Sequence, residues 1–366
     1  MKFLGKQIGD GHPTFLIAEA GINHGGSIET ALKMVEVAKE CGADAVKFQK
    51  RNIETLYRAD VLAEPSNSSH SLGVYIPILK QCELSNAAHY KLKERCDKIG
   101  IKYLCSPWDI PSLEFLEDLC VEGYKCPSAC FSDMFLMERI AKTGKPLILS
   151  TGMHCQSEID ILLSIYKPLF PDRLAIMHCV SSYPTSNRDV NLGYMRILKE
   201  KWSIPGGYSG HERGVPITVA AVAMGANIIE RHFTLDRTMK GPDHAASLEP
   251  HGLEELIRHV RAVEEALGDK KNVNQGEVVA RETLGKVLTW SLDLPAGAAL
   301  TIDCFCATSP GYGIPPYKAL TMLNQGVQLS TAVAVKQGQV VLTEHILFDG
   351  VPKKPDLKGE IARAHA

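Results

Sequence analysis

The sequence lacks the features that mark several large classes of protein. Its 40 basic and 42 acidic residues leave a formal net charge of −2, and no basic patch of the kind that binds nucleic acid or a membrane surface stands out. No apolar run approaches the length of a membrane span, and the N-terminus has no signal-peptide pattern. The 11 cysteines are scattered and form no CxxC pair. We therefore expect a cytoplasmic protein without disulfides that binds neither nucleic acid nor membrane.

The chain is rich in short apolar runs that alternate with amphipathic helical stretches between about residue 15 and residue 268. The eight runs are FLIAEAG from Phe15, ADAVKFQ from Ala43, IKYLCSP from Ile101, GYKCPS from Gly123, PLILSTG from Pro146, LAIMHCV from Leu174, GGYSGH from Gly206 and IIERHF from Ile228. Eight such units predict an α/β fold of the (β/α)8 TIM-barrel type. An open dinucleotide-binding sheet is disfavoured because no GxGxxG follows the first run.

The apolar periodicity is lost after Gly268, and short strand-like runs separated by turns follow it. The pattern predicts a barrel domain at 1–268, a linker at 269–283, a small β-rich domain at 284–350 and a disordered tail at 351–366. One short helical segment is expected in the small domain, near residues 317–325.

Polar side chains end every predicted strand, and in a barrel these ends meet on the face that carries the chemistry. Lys47 and Lys125 follow the second and fourth strands. Serines follow others: Ser106, Ser128, Ser150, Ser181 and Ser209. Two lysines within a ring of hydroxyls suit a phosphate and an adjoining carboxylate. The alternative is that the serines cap helices and the lysines extend to water.

His211 and His232 end the last two strands, so they lie on adjacent positions of a closed barrel. Two imidazoles with nearby oxygens, such as Glu230 and Asp243, suit a divalent metal with open coordination positions. We expect Mn²⁺, with Mg²⁺ or Co²⁺ as alternatives. The competing interpretation is a pair of core histidines bonded to backbone carbonyls.

Glu19 and Glu230 are acidic residues inside apolar strands, where an unpaired carboxylate is costly. They should therefore contact lysine, metal or substrate hydroxyls. The alternative is a structural ion pair, for example of Glu230 with Arg231 or Lys125.

Several long stretches resemble the sialic acid synthase family, the N-acetylneuraminate and related nonulosonate synthases that condense phosphoenolpyruvate with an N-acyl hexosamine. They are LIAEAGINHGG from Leu16, GADAVKFQKR from Gly42, GKPLILSTGM from Gly144, HCVSSYPTSNRDVNL from His178, GYSGHERG from Gly207 and ERHFTLDRTMKGPDHAASLEP from Glu230. The C-terminal domain is similar to the SAF, or antifreeze-like, domain of that family. The resemblance covers nearly the whole chain.

The resemblance implies roles for the residues already identified. The phosphoenolpyruvate ligands would be Lys47, Ser106, Lys125, Ser128, Ser150, Ser181 and Ser209. The metal ligands would be His211 and His232, and Glu19 and Glu230 would be the two catalytic carboxylates. Gln49, Tyr183 and Asp243 would contact substrate. The SAF-like domain implies a homodimer that exchanges its C-terminal domains.

Departures from the family pattern fall on the side of the acceptor sugar. The turn KCPSAC from Lys125 has Cys130 where many members have an acidic residue, and Ser309 replaces an arginine of the appended domain. The HSLGVY segment from His70 is one residue shorter than usual. We therefore expect N-acetylmannosamine or a diacetamido hexose as acceptor. The alternatives are a phosphorylated sugar, for which Lys50 and Arg51 could supply the charge, or a non-catalytic binding homologue.

Overall fold

The computed structural model describes residues 1–324 and 326–349, so the predicted tail at 351–366 lies outside the described residues. The chain divides into two compact units, the first spanning Met1–Gly268 and the second beginning at Asp269.

The first unit is the predicted barrel. It opens with a small antiparallel hairpin of β1 (Lys2–Phe3) and β2 (Lys6–Gln7). The eight parallel strands are β3 (Phe15–Gly21), β4 (Ala45–Lys50), β5 (Lys102–Pro107), β6 (Tyr124–Cys126), β7 (Leu147–Ser150), β8 (Leu174–Cys179), β9 (Gly206–Gly210) and β10 (Ile228–His232). Their order in the sheet is β5-β4-β3-β10-β9-β8-β7-β6, and β5 also contacts β6, which brings the two edges together. The prediction of a (β/α)8 barrel is confirmed.

Helices surround these strands. They are α1 (Ile28–Glu40), α2 (Ile53–Leu56), α3 (Ala59–Ala63), α4 (Pro65–Ser68), α5 (His70–Cys82), α6 (Asn86–Ile99), α7 (Ile110–Asp118), α8 (Met134–Lys142), α9 (Gln156–Leu169), α10 (Gly193–Trp202), α11 (Pro216–Ala223) and α12 (Pro250–Ala266). Local sequence sets their ends. The Ser27 side chain caps α1 by accepting from the Thr30 N–H, and Gly100, with φ of 73°, ends α6 in the left-handed conformation.

The amino end of the barrel is closed by the N-terminal hairpin. Phe3, Leu4 and Ile8 are buried in one apolar cluster with residues of the barrel interior, among them Phe15 and Ile228 at the starts of their strands. The Phe3 and Phe15 rings meet edge to face, with centroids 5.6 Å apart. Since apolar packing fills this end, the polar strand ends at the opposite, carboxyl end are left to form a site.

The segment between β4 and α6 folds into the short helices α2 to α5. Ile53, Leu79 and Cys82 of this segment pack with Ile22 in a small apolar cluster of their own. The segment is therefore a structured wall beside the carboxyl end of the barrel, and the HSLGVY sequence lies in α5.

The second unit is small and rich in β-structure, as predicted. Two antiparallel pairs are formed by β11 (Val287–Trp290) with β12 (Phe305–Thr308) and by β13 (Gln328–Thr331) with β14 (Ile346–Asp349). Helix α14 (Pro316–Asn324) matches the predicted helical segment. Trp290 is fully buried in the core of this unit and stacks on Phe305.

The stretch predicted as a linker contains helix α13 (Gln275–Leu284) within the second unit. The Asn274 side chain accepts from the Glu277 N–H, and the Glu277 carboxylate accepts from the Asn274 N–H. This reciprocal capping stabilises a helix that buries no residue of its own. Without a buried face the helix has no apolar periodicity, and for that reason the sequence pattern resembled a linker.

Within the described residues, no helix is long and apolar enough to cross a membrane.

Candidate active site

A cavity of about 420 Å³ lies at the carboxyl ends of the barrel strands. The predicted site residues that line it are Glu19, Lys47, Gln49, Lys125, Ser128, Ser181, Tyr183, Ser209, His211, Glu230, His232 and Asp243. Two levels can be distinguished. We call the strand residues Glu19, Lys47, Lys125, Ser209 and Glu230 the floor of the cavity. We call Arg51, Tyr75, Trp108 and Asp243, which follow the strand ends along the chain, its mouth.

The floor is a buried network of ion pairs centred on Glu230. Lys47 Nζ lies 2.9 Å from Glu230 Oε2 and 3.5 Å from Glu19 Oε2. Lys125 Nζ lies 3.1 Å from Glu230 Oε1, and the Ser209 hydroxyl donates to the same oxygen at 3.1 Å. Two cations thus face two carboxylates in a site closed to bulk water, which is how buried charges are tolerated.

The alternative pairing of Glu230 with its neighbour Arg231 does not occur. Arg231 points to the other side of its strand, where its guanidinium lies 2.7 Å from the buried carboxylate of Glu212. The Glu212 carboxylate also accepts from the Tyr208 hydroxyl at 2.7 Å. This second ion pair belongs to the packing outside the barrel, so Glu230 is free to face the cavity.

The two carboxylates of the floor differ in their affinity for protons. Burial raises the pKa of Glu230, but Lys125 and Lys47 outweigh burial and hold that pKa well below the usual value. Burial raises the pKa of Glu19 to about 7, with Lys47 opposing the shift and Glu230 adding to it. Glu230 is therefore a permanent anion, whereas Glu19 can exchange a proton near neutral pH.

Glu19 is held by an amide on the neighbouring strand. Gln49 Nε2 donates to Glu19 Oε1 at 2.6 Å. The orientation of the Gln49 amide is fixed in turn by Arg51, whose guanidinium donates to Gln49 Oε1. The chain of contacts therefore runs from the mouth of the cavity down to a carboxylate of its floor.

Hydroxyls after β6 and β8 converge on the backbone after β7. The Gly152 N–H donates to Ser128 Oγ at 3.0 Å, and a side chain at Gly152 would collide with the hydroxyls of Ser128 and Ser181. Glycine is required here because backbone and hydroxyls approach so closely. The contact with Gly152 holds the Ser128 hydroxyl at the wall of the cavity.

Two predicted ligands, Ser106 and Ser150, are fully buried at the ends of their strands but do not line the cavity. Neither hydroxyl has a hydrogen-bond partner among the residues that the structure describes. A buried hydroxyl without a partner is costly.

The two predicted metal ligands lie side by side. The imidazole centroids of His211 and His232 are 5.3 Å apart, and the Tyr183 ring packs against both. His211 Nδ1 lies 2.8 Å from the Val180 carbonyl, which can only accept, so this nitrogen carries the proton and Nε2 has a free lone pair. His232 Nδ1 lies 3.8 Å from Asp243 Oδ2.

This donor set fits a metal with an incomplete protein shell. Metal-binding histidines commonly donate their second ring nitrogen to a carbonyl or carboxylate. His211 has this arrangement through Nδ1, whereas Nδ1 of His232 has no hydrogen-bond partner among the described residues and lies 3.8 Å from the Asp243 carboxylate. Among the described residues, no group of three or more His, Cys, Asp or Glu side chains is arranged to hold a metal ion. The two imidazoles would therefore leave most coordination positions to water or substrate.

Sequence reasoning missed several residues of the site. The Cys179 thiol lines the cavity and accepts from the Ser128 hydroxyl at 3.5 Å. The position of Cys179 at the end of β8 was the signal that could have revealed it. Tyr75 and Trp108 also line the cavity. Tyr75 lies on α5 and could not be placed without the fold.

Besides Lys125 and Ser128, the unusual KCPSAC turn contributes apolar residues to the wall of the cavity. Pro127 and Ala129 line the cavity, whereas Cys130 is buried behind it with its thiol 3.6 Å from the Trp108 carbonyl. Cys130 therefore supports the loop that carries Trp108 and presents no charge to the cavity.

Comparison with known proteins identifies the family. The model of the NeuB family matches residues 34–272. The chain is 38% identical to the mouse (Mus musculus) N-acetylneuraminate-9-phosphate synthase over 349 residues, covering 93% of this chain and 95% of that protein. It is 35% identical to the N,N'-diacetyllegionaminic acid synthase of Legionella pneumophila, covering 93% and 97%. The chain belongs to the NeuB family.

A solved structure from this family has the same fold. The sialic acid synthetase of Leptospira borgpetersenii, determined in complex with citrate, is 36% identical and superposes with a TM-score of 0.68, covering 78% of this chain and 96% of that one. The NeuB-family relatives are synthases whose named products are different acids. Membership of the family therefore establishes the fold of this chain and its relation to synthases of more than one acid.

Proposed function

We propose that this protein is a nonulosonic acid synthase that condenses phosphoenolpyruvate with an open-chain N-acyl hexosamine and releases phosphate. The observation that carries the proposal is the floor of the cavity. Two buried lysines meet one permanently ionised carboxylate, Glu230, beside a ring of hydroxyls and two imidazoles.

Phosphoenolpyruvate would bind at the lysines and hydroxyls. Its phosphate and carboxylate need cations and short donors, which Lys47, Lys125 and Ser128 supply. Burial of the lysines strengthens these contacts because the site excludes water. Ser106 and Ser150 remain predicted ligands, and a small shift on binding would give their unpartnered hydroxyls a partner.

The proposed reaction forms one carbon–carbon bond. C3 of phosphoenolpyruvate attacks the aldehyde carbon of the sugar, whose oxygen takes up a proton and becomes a hydroxyl. Water then adds to the resulting cation at C2 and gives up a proton. Phosphate then leaves with the bridging oxygen and takes up the remaining proton of the C2 hydroxyl, whose oxygen becomes the keto oxygen of the product. The first proton released by the water balances the one taken up by the aldehyde oxygen.

The residues divide these tasks. Glu19, with its pKa near 7, would accept the proton of the attacking water or stabilise the cation at C2. Glu230 keeps the two lysines in position through its ion pairs. Gln49 orients the Glu19 carboxylate, and Tyr183 and Asp243 line the space left for the sugar.

A divalent metal fits the two imidazoles. His211 and His232 would hold it through their free ring nitrogens, and Asp243 would orient His232. When bound, such an ion supplies Lewis-acid polarisation of a carbonyl oxygen. Mn²⁺, Mg²⁺ and Co²⁺ all suit this nitrogen and oxygen environment.

Two alternatives for the function were left open by the sequence. A non-catalytic homologue would be expected to lack part of the floor, but both lysines, both histidines and Glu19 are in place. A phosphorylated acceptor is supported by one observation, the buried guanidinium of Arg51 at the mouth. The expected homodimer with exchanged C-terminal domains stays a prediction, since one chain is described.

The test is the release of phosphate from phosphoenolpyruvate with a panel of acceptors: N-acetylmannosamine, its 6-phosphate, mannose and the 2,4-diacetamido hexoses. Each assay is run with Mn²⁺ and with EDTA. We expect release that requires both the metal and an N-acyl hexosamine, with mannose as the acceptor control. Release with none of these sugars, or equal release without acceptor, would contradict the proposal.

A further inference from the structure

The buried cationic side chains differ in whether a carboxylate lies next to them. The described part of the chain buries the side chains Lys47, Lys50, Arg51, Lys125 and Arg231. All except Arg51 have a carboxylate oxygen within 4.0 Å. Arg51 is only 3% exposed, and its guanidinium has no such partner among the described residues.

The contacts that Arg51 does make leave part of its hydrogen-bonding capacity unused. Its guanidinium lies over the Trp108 ring, 3.9 Å from the centroid, and donates to Gln49 Oε1. Nε has no hydrogen-bond partner within the described residues. Arginine cannot lose its proton, and a cation–π contact offsets only part of the cost of removing a cation from water. Among the described residues, the guanidinium therefore has no anion in direct contact.

The cavity is the place from which an anion can come. Arg51 and Trp108 both line it, and each directly follows a strand, β4 and β5 respectively. Lys47 lies within β4, so Arg51 is located further toward the carboxyl end than the floor. An anion at Arg51 is thus a different group from the one that the floor binds.

Lys50 cannot share this role, contrary to the expectation from sequence. Its Nζ lies 2.5 Å from Glu83 Oε1 and 3.2 Å from the Leu84 carbonyl, and Lys50 does not line the cavity. Arg51 is left as the basic side chain of the mouth. Its planar group can make paired hydrogen bonds to the oxygens of a phosphate, which a lysine cannot do.

We propose that Arg51 binds a phosphate monoester carried by the acceptor sugar at the end remote from the reacting aldehyde, with Trp108 holding the guanidinium in place. This inference rests on the proposed function and makes it more specific: the acceptor is an N-acyl hexosamine phosphate. The other charged side chain of the mouth, Asp243, is turned toward the imidazoles, with Oδ2 3.8 Å from His232 Nδ1. Burial raises the pKa of Asp243, and His211 and Arg51 oppose that shift, but the Arg51 guanidinium has no carboxylate oxygen within 4.0 Å among the described residues, so direct contact with it is left to the phosphate.

The test compares kcat/KM for N-acetylmannosamine 6-phosphate and for N-acetylmannosamine, followed as consumption of phosphoenolpyruvate. We expect the natural protein to prefer the phosphorylated sugar by about 100-fold, the effect of one well-placed buried charge pair. Arg51→Gln should remove most of that preference by lowering kcat/KM for the phosphorylated sugar alone. Arg51→Lys should restore part of it, because the charge returns without the planar group.

A matched control is Arg58→Gln. Arg58 is an exposed arginine close in sequence, paired with Asp60 on the surface. This variant should keep the acceptor preference of the natural protein. Circular dichroism of all three variants checks that they fold.

The possible outcomes separate this inference from the proposed function. Equal use of both sugars by the natural protein, or equal loss of both in Arg51→Gln, would overturn the role of Arg51 while leaving the synthase intact. If none of the acceptors supported turnover, the proposed function would be overturned. Calorimetry with the sugar phosphate then decides on Arg51: binding that is lost in Arg51→Gln supports the anion site, and binding that is unchanged or absent in the natural protein overturns it.

Discussion

The floor and the mouth of the cavity are built in different ways. The charged groups of the floor are strand residues that neutralise one another, as Lys47 and Lys125 do with Glu230. The mouth is built from segments that follow the strands, and its arginine has no carboxylate partner among the described residues. A self-neutralised floor suits a substrate shared by a family, whereas an uncompensated charge at the mouth suits recognition of one particular acceptor.

This contrast makes the two regions separable by mutation. A change in the floor should impair the use of phosphoenolpyruvate with every acceptor. A change in the mouth should alter the choice of acceptor and leave phosphoenolpyruvate binding nearly unchanged.

His211→Ala should lower turnover by about 1000-fold or more, because it removes one of two imidazoles from a site with few other ligands. Binding of Mn²⁺, measured by electron paramagnetic resonance without substrates, should weaken in parallel. His251→Ala, at an exposed position of α12, serves as the control. Full activity of His211→Ala would show that the metal assignment is wrong.

Lys125→Met should lower kcat/KM for phosphoenolpyruvate by about 1000-fold, since breaking a buried ion pair leaves Glu230 short of one cation and the substrate short of one ligand. The loss should be the same with every acceptor sugar. Steady-state kinetics against the exposed variant Lys142→Met measures it. A loss confined to one acceptor would place Lys125 at the sugar and abolish the distinction between floor and mouth.

The pH dependence of kcat should reveal Glu19. Its pKa is raised to about 7 by burial, so the carboxylate is protonated below that pH and cannot accept a proton from water. We expect kcat to fall about tenfold for each pH unit below 7. The parameter to follow is kcat at saturating phosphoenolpyruvate, because phosphate esters themselves ionise near pH 6. A flat profile between pH 5.5 and 8.5 would exclude this role for Glu19.

Tyr75→Ala should raise the KM for the acceptor by about tenfold, because it removes a side chain of the mouth that lines the cavity. The KM for phosphoenolpyruvate should stay within about twofold of that of the natural protein. Both KM values are measured in the same assay, so the KM for phosphoenolpyruvate is the control for the KM for the acceptor. Equal changes in both would mean that Tyr75 supports the fold of the wall and does not contact the sugar.

The same contrast explains how much could be predicted. The floor was accessible from sequence because strand residues alternate regularly and the polar residues at the strand ends of a barrel meet in space. Lys47 and Glu230 were identified in this way, before any contact was known. The partners of Glu230 were not, since sequence could not distinguish Arg231 from Lys125. The structure distinguishes them, because Glu230 and Arg231 point to opposite sides of β10 and only Glu230 reaches Lys125.

The mouth and the second unit could be predicted less well. Tyr75 lines the cavity because α2 to α5 pack into a wall, and this packing depends on tertiary contacts such as that of Ile22 with Leu79. Helix α13 was missed for the opposite reason, since it has local capping but no buried face. Hydrophobic periodicity in a sequence indicates a regularly buried face. The wall depends instead on tertiary contacts, and α13 depends on local capping.

The central claim is that the floor catalyses carbon–carbon bond formation at C3 of phosphoenolpyruvate followed by addition of water at C2. Its most direct test uses phosphoenolpyruvate labelled with ¹⁸O at the oxygen that bridges C2 and phosphorus, together with an N-acyl hexosamine or its phosphate, and mass spectrometry of the products. We predict that the label leaves in the phosphate and that the keto oxygen comes from water. Label retained in the keto acid, or released into phosphate without any acceptor, would contradict the account.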